Sequence, residues 1–230
     1  MPLLNFNTKL ADVVLADPSV VTVLNRFGIV LGVGDSTVKM ACDNLGLDAQ
    51  FLVNILNAYL NPDYFPEDAQ QGFDAKLIIS YLDKTNSYYE QYSIPNIERH
   101  FGFLISKSGT DNNLPIMLKF FIEVKAELLK RIDEDRRSWF PQIIDLDAKQ
   151  QGLQFAEPVK ATEDEESDTI EDKIDDLVNM IVMHLKGSYD LNLCQAVLIA
   201  LTSLKKDIVQ NNRIRNRILR PVFSALIQDL

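Results

Sequence analysis

The chain has 230 residues, 47% of them apolar, and a formal net charge of −10 with a sequence pI near 4.7. This length and composition fit one large or two small domains with a substantial core. The acidic balance argues against a nucleic-acid partner, because phosphate contacts need a basic face. The apolar runs are short, so we expect neither a signal peptide nor a membrane span.

Cysteine usage indicates a reducing compartment. The two cysteines, Cys42 and Cys194, form no Cys-x-x-Cys pattern, and they are interpreted as small apolar residues of helices. Such a chain fits the cytoplasm, where disulfides are rare. We therefore expect a cytoplasmic protein without a disulfide framework.

The first 60 residues are predicted to form a small helical domain. Four helices are expected to run to about residues 15, 27, 45 and 60. Each begins at a polar residue suited to a helix N-terminus: Thr8, Asp17, Ser36 and Asp48. Gly28 and Gly46 follow the second and third helices, where a left-handed residue commonly ends a helix. Residues 61–73 are interpreted as a linker, because prolines and polar residues break any helix there.

Residues 74–230 show the pattern of four long amphipathic helices. These are predicted at about 74–106, 114–138, 169–185 and 191–227, with a kink at Pro95. Residues 145–168 form an acidic connection of the kind that is usually solvated surface. No strand-like alternation occurs. The predicted fold class is therefore all-α, an up-down four-helix bundle preceded by a small helical domain.

Two segments that end at Pro141 and Pro221 are similar. They read ELLKRIDEDRRSWFP at 127–141 and DIVQNNRIRNRILRP at 207–221. Superposing the two prolines aligns Glu127 with Asp207, Arg131 with Asn211, and Asp135 with Arg215. Positions 131 and 135 lie on one helix face, as do positions 211 and 215, because residues four apart are neighbours on a helix.

These endings resemble those of the hemerythrin-like di-iron bundle in the repair-of-iron-centres (RIC) proteins. Each ending of that family carries a His-x-x-x-Glu motif followed by Leu-Phe-Pro. Three earlier segments resemble the family's small N-terminal domain: LADVV at 10–14, VLNRFGI at 23–29 and TVKMACDNLGLD at 37–48. The segment TNSYYEQYSIP at 85–95 resembles the family's Thr-His-His stretch. The resemblance implies a hemerythrin-like bundle, which in that family holds two irons between its helices.

Nearly every expected ligand is replaced in this chain. The resemblance places the former ligand positions at Asn86, Ser87, Arg131, Asp135, Asn211 and Arg215, with further histidine positions near Ser108 and Asp172. The family's cysteine pair falls on Gly32 and Val33, and neither residue offers a thiolate. The two histidines, His100 and His184, are interpreted as packing or helix-terminal residues rather than ligands. We therefore expect no metal and no cofactor.

Two interpretations of the substituted positions remain open. In the first, Arg131 and Arg215 pair with carboxylates inside the bundle, because a guanidinium binds a carboxylate through two parallel hydrogen bonds. The proposed buried polar site comprises Arg131, Asp135, Asn211, Arg215 and Asp172. In the second, these side chains face solvent on rotated or frayed helix ends.

The sequence predicts a metal-free, non-catalytic regulatory or partner-binding module. Its partner would be another protein or a second copy of the chain, and the resemblance implies a link to oxidative or nitrosative stress or to iron–sulfur repair. The alternative is a metal-binding di-iron-type stress or repair protein with a non-standard site. Its carboxylates would be Asp135, Glu127, Glu90 and Asp172. Carboxylates alone favour hard cations such as Mn²⁺ or Mg²⁺, and the two arginines would repel them.

Overall fold

The computed structural model describes residues 2–64, 74–149 and 169–228. The predicted all-α class is confirmed, since no β-strand occurs in these ranges and the isolated bridge there joins Lys9 to Thr37. A 3₁₀ turn, Pro18–Val20, precedes the second helix. The helices are α1 Leu10–Ala16, α2 Val21–Arg26, α3 Val38–Leu45, α4 Ala49–Leu60, α5 Ala75–Tyr88, α6 Ile94–Lys107, α7 Leu114–Glu134, α8 Phe140–Lys149, α9 Thr169–His184, α10 Leu191–Ile214 and α11 Arg220–Gln228. Most of the predicted linker and of the acidic connection lies outside the described residues.

Two of the predicted helix starts are wrong by a residue or more, and two are confirmed. Asp17 caps the 3₁₀ turn that leads into α2 by accepting a hydrogen bond from the Ser19 amide at 3.0 Å. Asp48 caps α4 by accepting a hydrogen bond from the Phe51 amide at 2.9 Å. Thr8 does not cap α1, and Thr37 rather than Ser36 caps α3. The reason lies in the backbone, where the Leu10 amide donates to the Ser36 carbonyl and the Val38 amide donates to the Thr8 carbonyl. This pairing holds residues 8 and 36 outside their helices.

Three of the long helices contain a π-helical segment just before a proline. The segments are Tyr89–Ser93, Asp135–Trp139 and Arg215–Leu219, and the prolines are Pro95, Pro141 and Pro221. A proline has no N–H to donate, and its ring clashes with the carbonyl four residues earlier. A wider π turn moves that carbonyl away from the ring. The helix predicted to end at residue 138 therefore continues as α8, so that boundary was wrong.

The helices α6, α7, α9 and α10 pack side by side. Helix α6 contacts α7 and α10, and α9 contacts the same two helices from the other side. Their inward side chains form one hydrophobic cluster, here called the distal cluster, which includes Phe101, Leu104, Phe121, Leu128, Ile174, Leu177, Leu201 and Ile208. The distal cluster contains no residue of α1 to α4.

The N-terminal helices share a second hydrophobic cluster, the proximal cluster, with α5, α8 and α11. It includes Leu10, Leu24, Leu52, Leu56, Ile78, Leu82, Ile143 and Leu219. The N-terminal segment thus packs onto one end of the long helices through a shared apolar core. The division into two domains at residues 61–73 stays a prediction.

Alanine at two glycines should have opposite effects on stability. Gly46 follows α3 with φ 65°, and a Cβ there meets no atom within 4 Å. Gly46→Ala therefore strains the backbone alone and should lower the free energy of unfolding by about 1 kcal/mol. Gly102 lies inside α6, also with open space around it. Gly102→Ala should raise the same quantity by about 0.5–1 kcal/mol. Urea denaturation measures both, and changes of equal sign would contradict this account.

Candidate functional site

A layer of buried polar side chains lies between the distal and proximal clusters. Along α5, α7 and α10, the apolar residues of one cluster give way to buried polar residues before those of the other begin. This polar layer comprises Thr85, Asn86, Asp135, Asp207, Gln210, Asn211 and Asn212, together with Arg26 from α2. Polar groups removed from water need hydrogen-bond or charge partners. The partners in this layer therefore define what the site can do.

Asp135 and Arg215 form a buried ion pair in the polar layer. Arg215 Nη1 donates to Asp135 Oδ2, and the two side chains are 14% and 4% exposed. The Asn86 amide donates to the same oxygen at 3.4 Å. The Arg215 guanidinium also lies 4.6 Å from the centre of the Trp139 ring, a cation–π contact. The structure thus brings together three of the six residues that the resemblance places at ligand positions.

Burial lowers the pKa of Arg215, and the nearby Arg131 and Arg220 charges lower it further, while Asp135 opposes both. An arginine nevertheless keeps its proton at neutral pH. The Asp135 carboxylate is therefore neutralised by a permanent positive charge.

Arg131 and Asn211 also belong to this region, with other partners. Arg131 Nη1 donates to Asn212 Oδ1 at 3.1 Å, and Asn212 Nδ2 donates to Glu171 Oε1 at 2.6 Å. The Asn211 amide donates to the Tyr89 hydroxyl. These contacts join α7, α9 and α10 across the distal end of the polar layer.

Asp172 was wrongly assigned to the buried site. It is exposed on α9, and its neighbour Glu171 makes the contact to Asn212 instead. Successive helical residues point about 100° apart, so a shift of one position moves a side chain off the inward face.

The structure does not gather the carboxylates of the alternative metal site. Glu90 pairs with Arg136 at 2.7 Å, and the Ser87 hydroxyl accepts from the same guanidinium at 2.9 Å. Glu127 pairs with Lys173. Within residues 2–64, 74–149 and 169–228, no three His, Cys, Asp or Glu side chains are arranged to hold a metal ion.

The remaining predicted positions lie elsewhere. Ser108 ends α6 and donates to the Leu104 carbonyl at 2.6 Å. His184 is exposed at the end of α9. Gly32 is exposed in a loop with φ 97°, and Val33 packs at the edge of the proximal cluster. Ser108, His184, Gly32 and Val33 are therefore not part of the polar layer.

A second buried ion pair, Arg26–Asp207, was missed in the sequence. Arg26 Nη2 donates to Asp207 Oδ2, and these side chains are 3% and 6% exposed. Arg26 Nη1 donates to the Tyr81 hydroxyl at 3.1 Å, and the guanidinium lies 5.2 Å from the centre of the Tyr88 ring. This pair ties the N-terminal helix α2 to α10. The sequence does show that Arg26 lies three residues after the apolar Val23, on the same face of the predicted helix.

Four tyrosines surround the Asp207 carboxylate. Burial raises the pKa of Tyr59, Tyr81, Tyr88 and Tyr89, and the negative charge of Asp207 adds to the rise in each. Burial alone would lower the pKa of Arg26, but its interactions with Tyr81 and with the Asp207 carboxylate outweigh burial and hold that pKa above its usual range. The tyrosines therefore stay protonated and the arginine charged at neutral pH.

A cleft of about 830 Å³ opens beside Asp207, between the N-terminal segment, α6 and α10. Its lining includes Tyr59, Tyr88, Tyr92, Arg99, Lys206 and Asp207. A neighbouring cleft of about 640 Å³ shares Tyr88 and Tyr92 with it. Such volumes are typical of sites for small molecules.

Comparison with protein-family models, curated proteins and solved structures found no match for this chain. The resemblance to RIC proteins therefore stays a prediction based on the motifs quoted above. None of the described helices combines the length and the apolar character needed to span a bilayer.

Removing the charge of Asp207 should destabilise the protein strongly. Asp207→Asn leaves the buried Arg26 without its counter-charge, which costs about 3–5 kcal/mol in the free energy of unfolding. The matched control is Asp35→Asn, which breaks the exposed pair with Lys9 and should cause no measurable change. Urea denaturation measures both variants. Similar losses in the two would show that burial of the Arg26 pair is not what matters.

Stability should fall at alkaline pH because of the buried tyrosines. The pKa of Tyr89 is raised well above its ordinary value by burial, so the folded protein keeps a proton that the unfolded chain releases above about pH 10. This stabilisation of the folded protein is complete below that pH and is lost as the pH rises through the pKa that Tyr89 has in the folded protein. Tyr89→Phe should flatten this fall, measured by urea denaturation between about pH 8 and about pH 11. Tyr92→Phe, at an exposed ring, should leave the wild-type slope. Equal slopes for Tyr89→Phe and wild type would contradict the assignment.

Proposed function

We propose that this chain is a metal-free, non-catalytic binding module with a hemerythrin-like, up-down four-helix bundle. The side-by-side packing of α6, α7, α9 and α10 supports the bundle. The observation that carries the functional proposal is the buried Asp135–Arg215 pair, which occupies former ligand positions of the family it resembles. A guanidinium takes the place that a metal ion would hold.

The chemistry of the donor set argues against a dication at this position. Asp135 Oδ2 already accepts from Arg215 and from Asn86, and the permanent charge of Arg215 repels a second cation. The other carboxylates of the alternative site are paired with their own cations or exposed. Non-haem iron draws on imidazole and carboxylate ligands together, and no histidine belongs to the polar layer. The metal-binding alternative therefore has no support in the geometry.

The module would act in the cytoplasm by binding a small molecule, another protein or a second copy of the chain. A role in oxidative or nitrosative stress, or in iron–sulfur repair, is part of the proposal through the RIC resemblance. The two ion pairs of the polar layer support a regulatory role over catalysis, because their charged groups neutralise each other.

Asp135→Asn should test the substituted site. It strands the Arg215 charge in a buried position and should lower the free energy of unfolding by about 3–5 kcal/mol. The matched control is Asp133→Asn, which breaks an exposed pair with Arg137 on the same helix and should change stability by less than about 0.5 kcal/mol. Replacing both Asp135 and Arg215 by leucine should cost less than Asp135→Asn alone, since no charge is then left buried.

Metal analysis completes the test. Protein expressed in medium supplemented with iron and manganese should contain neither ion at stoichiometric level, and adding either should not restore the melting temperature of Asp135→Asn. Near-stoichiometric metal in the wild type that disappears in Asp135→Asn would overturn the proposal.

A further inference from the structure

The cleft beside Asp207 offers a positive charge to a ligand, although the protein as a whole is acidic. Asp207 is the single carboxylate in its described lining, and Arg26 neutralises it. Lys206 is neutralised by Asp17, with Nζ to Oδ2 at 2.8 Å. Arg99 is exposed at the cleft wall on α6 and makes no ion pair with any described residue. The net charge presented by these groups is therefore positive and centred on Arg99.

Asp207 gives the cleft a buried acceptor. Its Oδ2 atom is taken by Arg26, while Oδ1 is buried and has no hydrogen-bond partner among the described residues. A buried carboxylate oxygen without a donor is costly, so the site favours a molecule that brings an N–H or O–H group. Asp207 belongs to the lining of the cleft, which makes a ligand in the cleft a candidate source of that donor.

Three tyrosines, Tyr59, Tyr88 and Tyr92, also line this cleft. Tyr88 and Tyr92 lie with ring centres 5.9 Å apart, and the Tyr92 ring is largely exposed. Tyr59 contributes from the N-terminal segment, and the exposed Ile199 adds apolar surface from α10. Such a wall favours a flat, apolar ligand group, since offset aromatic rings attract beyond the area they bury.

We infer that this cleft binds a small aromatic organic acid that carries a hydrogen-bond donor on its α-carbon. The carboxylate binds the Arg99 guanidinium through charge-assisted hydrogen bonds. The α-amino or α-hydroxyl group donates to Asp207 Oδ1, and the aromatic side chain packs against Tyr88 and Tyr92. The inference gives the proposed binding module its ligand and rests on that function, but not on the metal-free state of the Asp135 site.

Four matched probes separate the contributions of the ligand groups. L-phenylalanine and L-3-phenyllactate carry both the carboxylate and an α-donor, 3-phenylpropanoate lacks the donor, and L-phenylalanine amide lacks the carboxylate. Calorimetric titration of the full chain should give a Kd below about 1 mM for at least one of the first two. The last two should each bind about tenfold more weakly or worse, because each loses a hydrogen bond to a charged group. Whichever of L-phenylalanine and L-3-phenyllactate has the lower Kd shows whether the donor is an ammonium or a hydroxyl.

Variants at exposed positions test the cleft without disturbing the core. Arg99→Gln should weaken the best probe about tenfold or more, whereas Lys107→Gln, on the same helix but outside the cleft lining, should bind as the wild type does. Ser203→Trp places a bulky ring in the cleft and should abolish binding. Circular dichroism and urea denaturation confirm that each variant is folded.

Three outcomes would overturn the inference. They are no binding of L-phenylalanine or L-3-phenyllactate below about 1 mM, binding of either truncated probe as tight as that of the best intact probe, and unchanged affinity in Arg99→Gln. If binding fails while Asp135→Asn destabilises the metal-free protein as expected, the ligand inference fails and the substituted site stands. If the wild type contains metal but the probes bind, the reverse holds.

Discussion

The free-energy cost of taking charged groups out of water constrains the arrangement of the long helices. Arg26 and Asp207 pair between α2 and α10, and Arg215 and Asp135 pair between two π segments. Apolar contacts tolerate some sliding of one helix along another, but a buried charge that loses its partner is strongly penalised. The two pairs therefore fix the register of α2, α10 and the α7–α8 helix, whether or not they add net stability.

The π segments explain how one long helix can bury apolar residues of the distal cluster, then polar residues, and then apolar residues of the proximal cluster. Asp135 and Arg215 are the first residues of their segments, and Pro141 and Pro221 follow each segment. An extra residue per turn rotates all later side chains by about 100° relative to an unbroken α-helix. Helices α8 and α11 can then direct residues such as Ile143 and Leu226 into the proximal cluster. The prolines thus fix the position at which the inward-facing side of the helix changes.

Much of the helical architecture could be predicted from the sequence, because apolar periodicity and the Asp48 and Gly46 signals are local. The starts of α1 and α3 were missed because the backbone of residues 8 and 36 pairs over a distance that no local pattern reveals. Asp135 and Arg215 were singled out because the RIC resemblance places metal ligands at these matched positions of the two helix endings. The Arg26–Asp207 pair was not predicted, because the two residues are far apart in the sequence and no single motif includes both. A pairing of this kind depends on the packing of α2 against α5 and near α10, which only the structure provides.

The location of the cleft bears on how a binding module could transmit a signal. Its walls come from the N-terminal segment through Tyr59, from α6 through Arg99 and from α10 through Asp207. A ligand that contacts all three binds the docked arrangement of these elements more tightly than any arrangement in which they separate. It therefore stabilises the docked arrangement by its differential affinity alone. Any partner that recognises the same arrangement is therefore coupled to the ligand. The factor by which the ligand raises the affinity for the partner must equal the factor by which the partner raises the affinity for the ligand.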